Sequence, residues 1–292
     1  MKVKKPMDSE ASNDSIYCQK LTNAEFAQIQ DYIQKNCGIR LPVTKKNMVE
    51  GRLRRRLKTL GMGSYSEYLS MVFEGEDHLA EQEKLSLIDV ITTNKTDFFR
   101  EPKHFSYMND VLLPQLEAEG AGTKRCLNVW SSACSTGEEP YTIAMVLAEY
   151  FGVDGDFRVF ASDISYSVLE RAINGVYTEE KAQDIPLSLK KKYLMRSKSR
   201  NGLVRFKPEI REKVTFGRLN LMDNNYNLPV IMDMTFCRNV IIYFDTETQQ
   251  NIINKICRYI MPGGNLFLGH SESVHGMNLP LEVIVPTIFR RK

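Results

Sequence analysis

The run "VITTNKTDFFREPKHF", residues 90–105, gathers hydrogen-bonding side chains (Thr92, Thr93, Asn94, Thr96), an acid (Asp97), two adjacent rings (Phe98, Phe99) and a guanidinium (Arg100). It is too polar for a core and too aromatic for an ordinary linker. Arg100 is suited to grip a carboxylate through charge-assisted hydrogen bonds. Further polar groups follow short apolar runs. "SSACSTGEEP" comes after "CLNVW" and supplies Glu139, and "FASDIS" supplies Asp163. "FGRLNL" presents Asn220 and Leu221, and "FCRNVIIYF" presents Cys237, Arg238, Asn239 and Tyr243. An Arg-Asn pair inside an apolar run fits poorly with simple core packing, because charged groups are seldom buried without partners.

The chemistry these groups favour is binding of a nucleoside without a pyrophosphate. The small residues Ser131, Ser132, Ala133, Ser135 and Gly137 permit close backbone approach, and Pro140 suits the first turn of a helix. The run is neither a G-x-G-x-x-G turn nor a P-loop, which would carry a lysine. Two glutamates at a helix start would repel phosphates. Glu139 reads equally as a capping-box partner of Thr136. Asp163, at the end of a second apolar run, is placed to take both ribose hydroxyls, or else to cap the next helix. S-adenosylmethionine carries a ribose, a sulfonium and an amino acid, and satisfies this set.

The elements that must position these residues change texture along the chain. From about residue 21 to 90 the pattern is helical. Thr22 and Glu25 have capping-box spacing, Phe26, Ile29 and Ile33 form a stripe, and Gly38 suits a C-cap. Val49, Leu53, Leu57 and Leu60 share one face of a second helix ending at Gly61. Beyond about residue 125, short β-rich apolar runs alternate with helical segments at 138–151, 165–174, 186–195 and 246–260. That alternation predicts a parallel sheet covered on both faces. "GLVRFKPEIREKVTFG" interrupts it as a β excursion, predicting a small β subdomain over about 196–218. The expected organisation is a disordered segment over 1–18, a helical domain over 19–90 and an α/β domain over 91–292.

Composition sets bounds on this reading. With 292 residues, 42% of them hydrophobic, 26% charged, and a net charge of +3, neither disorder nor a polyelectrolyte fits. Cys18, Cys37, Cys126, Cys134, Cys237 and Cys257 form no CxxC pair, so reduced core thiols and a cytoplasmic location are expected. No apolar run reaches the roughly 18 residues of a membrane span, and the start lacks a signal-peptide pattern. His78, His104, His270 and His275 are scattered, so no metal is expected, and His270 is assigned a structural hydrogen bond. Basic residues concentrate locally. Arg40, Lys45, Lys46, Arg52, Arg54, Arg55, Arg56 and Lys58 stand against one acid, Glu50. With the leucines facing inward, Arg52, Arg55, Arg56 and Lys58 are expected to project outward, either as a solvated face or as a docking surface for an acidic helical partner.

Taken in order, "TTNKTDFFRE", "WSSACSTGEEPYTIA", "FASDIS", "VTFGRLNL", "FCRNVIIYFD" and "GHSES" resemble the chemotaxis receptor glutamate O-methyltransferases, the CheR family, from about residue 20 to 290. The resemblance implies a class I S-adenosylmethionine-dependent methyltransferase sheet with an N-terminal all-helical domain and a small inserted β subdomain. It implies transfer of the methyl group to glutamate side chains on the cytoplasmic helices of methyl-accepting chemoreceptors, leaving S-adenosylhomocysteine. Asn94, Thr96, Arg100, Glu139, Asp163, Asn220, Leu221, Cys237 and Arg238 would line the cofactor site, and Arg100 and Tyr243 would flank the reacting centre. Arg52, Arg55, Arg56 and Lys58 would dock the receptor. The expected protein is a monomer that takes no nucleic acid and does not insert in a membrane. "MRSKSRNGLVRF" lacks the glycine-rich loop by which some members grip a receptor peptide. Two other readings remain open: a nucleic-acid methyltransferase, although the Pro-Pro-aromatic motif of many such enzymes is missing, and a S-adenosylmethionine sensor without catalysis.

Overall fold

The computed structural model describes residues 19–292, so the disorder expected over 1–18 lies outside the described residues. The chain divides into two compact units, between Thr93 and Asn94.

The first unit is helical. α1 (Asn23–Cys37) opens with the Thr22–Glu25 capping box and ends at Gly38, whose φ of 69° is the left-handed conformation that glycine adopts at least cost. Phe26, Ile29, Ile33 and Cys37 are buried along its inner face. α2 (Lys46–Leu60) buries Val49, Leu53 and Leu57, then stops at Gly61. α3 (Tyr65–Glu74) and α4 (His78–Ile91) are capped by Ser64 and Asp77, whose side chains accept from backbone N–H groups three residues on.

The basic face of α2 differs from the expectation of four outward cations. Arg52 turns its guanidinium to the end of α4, where Nη1 donates to the carbonyls of Val90 (3.1 Å), Ile91 (2.8 Å) and Thr92 (2.7 Å). Arg56 reaches the buried Glu83, with Nε 3.0 Å from Oε2. The physical reason is common to both. Unsatisfied carbonyls at a helix C-terminus and a buried carboxylate each need a cation, and these arginines supply it. Arg55 and Lys58 are exposed.

The second unit is α/β. β1 (Leu127–Ser132), β2 (Phe157–Asp163), β6 (Val214–Arg218), β7 (Met232–Cys237), β8 (Ile260–Leu268), β9 (Leu281–Val285) and β10 (Ile288–Arg291) form one sheet in the spatial order β6-β2-β1-β7-β8-β10-β9. Counted within this sheet alone, that is the order 3-2-1-4-5-7-6. β10 pairs antiparallel with both β8 and β9, and the other pairings are parallel. The strand order reverses between β1 and β7, and such a reversal opens a crevice at the carboxyl ends. This is the class I methyltransferase topology.

The parallel centre is largely buried, with Asp233 and Thr235 of β7 and Ser131 and Ser132 of β1 enclosed among apolar side chains. Every residue of β7 is buried, and Phe236 stacks on Phe267 with centroids 4.1 Å apart. Burying each such ring contributes about 2–3 kcal/mol. Helices alternate with the strands: α5 (Pro102–Tyr107) and α6 (Leu113–Ala118) before β1, α7 (Glu138–Phe151) after it, α8 (Tyr166–Asn174) after β2 and α11 (Thr246–Cys257) before β8.

The small sheet is antiparallel, with β5 (Leu203–Phe206) between β3 (Val176–Thr178) and β4 (Leu194–Arg196). It starts about 20 residues earlier than the expected 196–218. Val214–Arg218, placed in it from sequence, belongs to the main sheet instead, where Val214 pairs with Val159 and Arg218 with Asp163. Three-residue strands such as β3 leave no periodic signal, and their pairing partners lie far along the chain. α9 (Leu187–Tyr193) and the single turn α10 (Pro208–Arg211) flank this sheet. An aromatic cluster ties it to the unit. Phe98, 2% exposed, packs edge-on to Tyr177 at 5.0 Å, and Tyr141 stacks on Phe206 at 4.3 Å.

Candidate active site at the strand reversal

The turn after β1 is built from left-handed residues. Ala133, Ser135 and Gly137 have φ of 56°, 50° and 95°. For the two non-glycines this conformation costs about 1–2 kcal/mol each, so the surroundings must hold it. They do. The Cys134 N–H donates to the Ser162 carbonyl (2.9 Å), the Ser135 N–H to Asp163 Oδ2 (2.9 Å), and Ser135 Oγ to the Asn94 carbonyl (2.9 Å). At Gly137 an added Cβ would sit 2.8 Å from the Tyr177 hydroxyl and 2.9 Å from the Ala172 methyl, so no larger residue fits.

Asp163, at the end of β2, is 7% exposed and is not a helix cap. Its Oδ2 takes the Ser135 N–H and its Oδ1 the Ser165 N–H, while Ser165 caps α8. The carboxylate therefore braces the two loops at the crevice.

Glu139 forms no capping box. Thr136 Oγ1 donates to Glu138 (2.6 Å) instead, and Glu139 turns toward β1, where Ser131 Oγ donates to its Oε1 at 2.7 Å. Its Oε2 lies 3.0 Å from Nη1 of Arg238, which is 6% exposed at the end of β7. Arg238 also meets Glu101, with Nη2 3.1 Å from Oε2, and donates to the Arg100 carbonyl. Burial pushes the Glu139 carboxyl up, against the opposing pull of Arg238 and Ser131. At Glu101 burial pushes the same way, but Arg238, the His270 N–H and Asn239 outweigh it and the carboxyl lies below its ordinary value.

The two arginines of this site are thus unequal. Arg238 is enclosed by two carboxylates. Arg100 is half-buried, its Nη1 donates to the Lys95 carbonyl at 3.0 Å, and among the described residues it enters no ion pair. Its segment is also held from the other side. Lys181 donates to the Thr96 carbonyl and to Asp97 Oδ1 (2.7 Å), and its Nζ lies 3.6 Å from Glu138 Oε1. Phe99 N–H donates to Thr142 Oγ1 at 3.2 Å.

The remaining predicted residues have partners of their own. Asn220 lies just beyond β6, its Oδ1 accepting from the Met222 N–H (3.0 Å), and the Leu219 N–H donates to the Asp163 carbonyl (3.0 Å). Leu221 is buried, and its carbonyl takes the Tyr226 hydroxyl (2.9 Å) and Lys255 Nζ (2.6 Å). Cys237 is fully buried, and burial holds its thiol well above the usual range. Tyr243 ends the 3₁₀ turn Ile241–Tyr243, half-buried.

Glu101, Lys181, His104 and Glu272 were not foreseen as partners, and His270, expected to make a structural hydrogen bond, donates its backbone N–H to Glu101 Oε1 (3.2 Å). Glu272 accepts from the Val240 (2.8 Å), Ile241 (2.9 Å) and Gly269 (2.5 Å) N–H groups, anchoring the start of the Tyr243 turn. The histidines that look scattered in sequence include two, His104 and His270, whose rings lie 5.5 Å apart.

Both units match family descriptions. Residues 24–92 match the CheR methyltransferase all-alpha domain, and residues 94–289 match the CheR methyltransferase SAM-binding domain. A chemotaxis protein methyltransferase of Borreliella burgdorferi is 37% identical over 275 residues, covering 93% of this chain and 95% of the relative. That of Escherichia coli is 42% identical over 255 residues, covering 87% and 85%. Chemotaxis protein methyltransferase 2 of Pseudomonas aeruginosa is 38% identical over 263 residues, covering 88% and 90%. With both domains matched along nearly the whole described chain, this protein belongs to the CheR methyltransferase family.

Proposed function

We propose that the chain transfers the methyl group of S-adenosylmethionine to glutamate side chains on the cytoplasmic helices of chemoreceptors, forming glutamyl methyl esters. The observation that carries this reading is the inequality of the two arginines. Arg238 has its charge matched by Glu139 and Glu101, whereas Arg100 keeps guanidinium N–H groups available for a carboxylate.

The crevice suits the cofactor. Three carboxylates, Glu101, Glu139 and Asp163, stand at the strand ends against the single buried cation Arg238. The net negative field favours a sulfonium and an ammonium and opposes a pyrophosphate. Glu139 retains acceptor capacity for hydroxyl or ammonium donors, Asp163 stands at the end of β2 where a ribose would lie, and the Ser131–Gly137 turn offers close backbone approach. Asn94, Thr96, Asn220, Leu221 and Cys237 would line the same pocket. S-adenosylmethionine supplies an electrophilic methyl on a positively charged sulfur.

The chain's own contribution is positional. A glutamate carboxylate, with an ordinary pKa of about 4.3, is already ionised at neutral pH, so no general base is needed. Arg100 and Tyr243 would hold it in register at roughly 3 Å from the methyl. Negative carboxylate and positive sulfonium cancel as the bond forms, so exclusion of water favours the transition state over the separated ions. Arg55 and Lys58, exposed on α2, would steer an acidic receptor bundle.

The test supplies tritiated S-adenosylmethionine with receptor-containing membranes or with DNA. Base-labile label released as methanol from the membranes is the expected result. Label confined to DNA, or absent from both, would remove this reading.

A further inference from the structure

His104 is 2% exposed, and its ring is fixed from one side. Nε2 lies 2.7 Å from Thr287 Oγ1, and that hydroxyl gives its own proton to the Pro286 carbonyl at 2.5 Å. In the tautomer that keeps this bond, the hydroxyl accepts from Nε2–H and the lone pair is on Nδ1. Nδ1 faces Glu101 Oε2 at 3.5 Å, so two electron-rich atoms confront each other in a buried position. Neither has a hydrogen-bond partner, although Oε2 is ion-paired with Arg238. His270 Nδ1 completes the group, 3.7 Å from Glu101 Oε1, and the ligand atoms of all three residues lie within 4.8 Å of one another. A cation placed among them would convert the repulsion into coordination.

We propose that Glu101, His104 and His270 form a binding site for a divalent transition-metal ion of the zinc class. Two imidazole nitrogens and one carboxylate oxygen are the donor set such ions prefer, whereas magnesium and calcium require mostly oxygen. The supporting contacts are in place. Thr287 fixes the His104 tautomer, and the His270 N–H (3.2 Å) and Asn239 Nδ2 (3.3 Å) orient Glu101 Oε1. The His270 side chain is 54% exposed, which gives the ion an entry route and gives the third ligand freedom to close the last few tenths of an ångström. Arg238 beside Oε2 opposes the incoming charge, so the site is reversible and not a structural metal centre. Three protein ligands leave a coordination position for water. An ion bound there ties the turn at Arg100–Glu101 to the segment following β8.

The test is titration of the purified full chain with zinc chloride by calorimetry, and with cobalt(II) by visible absorption. The expected result is one ion per chain, with cobalt d–d bands and no thiolate charge-transfer band. His270→Ala, a surface change that leaves folding intact, lowers affinity about tenfold or more, and Thr287→Val lowers it roughly tenfold through the lost ring partner. His275→Ala changes nothing. Equal affinity in His270→Ala and the parent chain, a thiolate band showing that cysteines hold the ion, or no binding by the parent chain would each overturn the proposal. All three readouts are independent of methyl transfer.

Discussion

Arg238 and Glu139 face each other across the strand reversal with Nη1 and Oε2 3.0 Å apart, and the other arm of the same guanidinium holds Glu101. One buried cation thereby joins the end of β7, the first turn of α7 and the turn that follows Arg100. Replacing it with Met leaves two largely buried carboxylates without a counter-cation. The expected cost is about 3–5 kcal/mol in denaturant unfolding, accompanied by loss of S-adenosylmethionine binding. Arg238→Lys, whose single ammonium cannot bridge both acids, falls between the two. An unfolding midpoint unchanged in Arg238→Met would show that the network is not structural.

Gly137 satisfies two demands at once, a φ of 95° and a space closed by Tyr177 and Ala172. Gly137→Ala is expected to cost at least about 1–2 kcal/mol and to weaken cofactor binding, because the turn proposed to meet the ligand must move. Calorimetric binding alongside thermal unfolding separates the two effects.

On α2 neighbouring basic residues separate by role. Arg52→Ala strips three carbonyls at the end of α4 of their donor and should lower stability by about 1–3 kcal/mol. Arg55→Glu should leave the melting temperature in place. The same change should slow receptor methylation at low salt and flatten its salt dependence. Loss of stability in this variant, or an unaltered salt profile, would contradict this division.

Glu272 collects three backbone N–H groups around the start of the Tyr243 turn. Burial pushes its carboxyl up, partly offset by those bonds. Glu272→Gln places an amide NH2 where only acceptors fit, so the turn shifts and kcat falls while the cofactor Kd holds. A matching fall in Tyr243→Phe, with no further loss in the double variant, would assign the effect to that tyrosine.

How much of this was legible in the sequence follows from the range of each interaction. The Thr22–Glu25 box, the caps at Gly38 and Gly61, and the helix over 138–151 rest on contacts within a few residues, and local pattern captured them. The strand-end acids Asp163 and Glu139 were found because they interrupt apolar runs, although their partners were not. Arg238 pairs with Glu101 across more than a hundred residues, and Lys181 reaches Thr96 and Asp97 from the start of the small-sheet insertion. No spacing rule encodes such contacts. The inward turn of Arg52 and Arg56 was missed for a related reason. Helical periodicity says which residues face the core, but not that a long cation at its margin can bend back to a helix end or to a buried acid.

Arg100 enters no ion pair among the described residues, so its removal should cost little stability. Arg100→Ala is expected to unfold at the parent midpoint and to lose methyl transfer by about 100-fold or more, a loss of roughly 2.7 kcal/mol in transition-state binding. Turnover near that of the parent would take Arg100 out of the mechanism.

The most direct measurement locates the methyl group on the acceptor. The purified chain is incubated with S-adenosylmethionine and a chemoreceptor cytoplasmic fragment, and the product is mapped by tandem mass spectrometry before and after mild base. The account predicts methyl groups on glutamate side chains, removed by base and missing when those glutamates are replaced by alanine. Base-stable methyl groups on nitrogen, or an unmodified fragment under conditions where the cofactor binds, would contradict it.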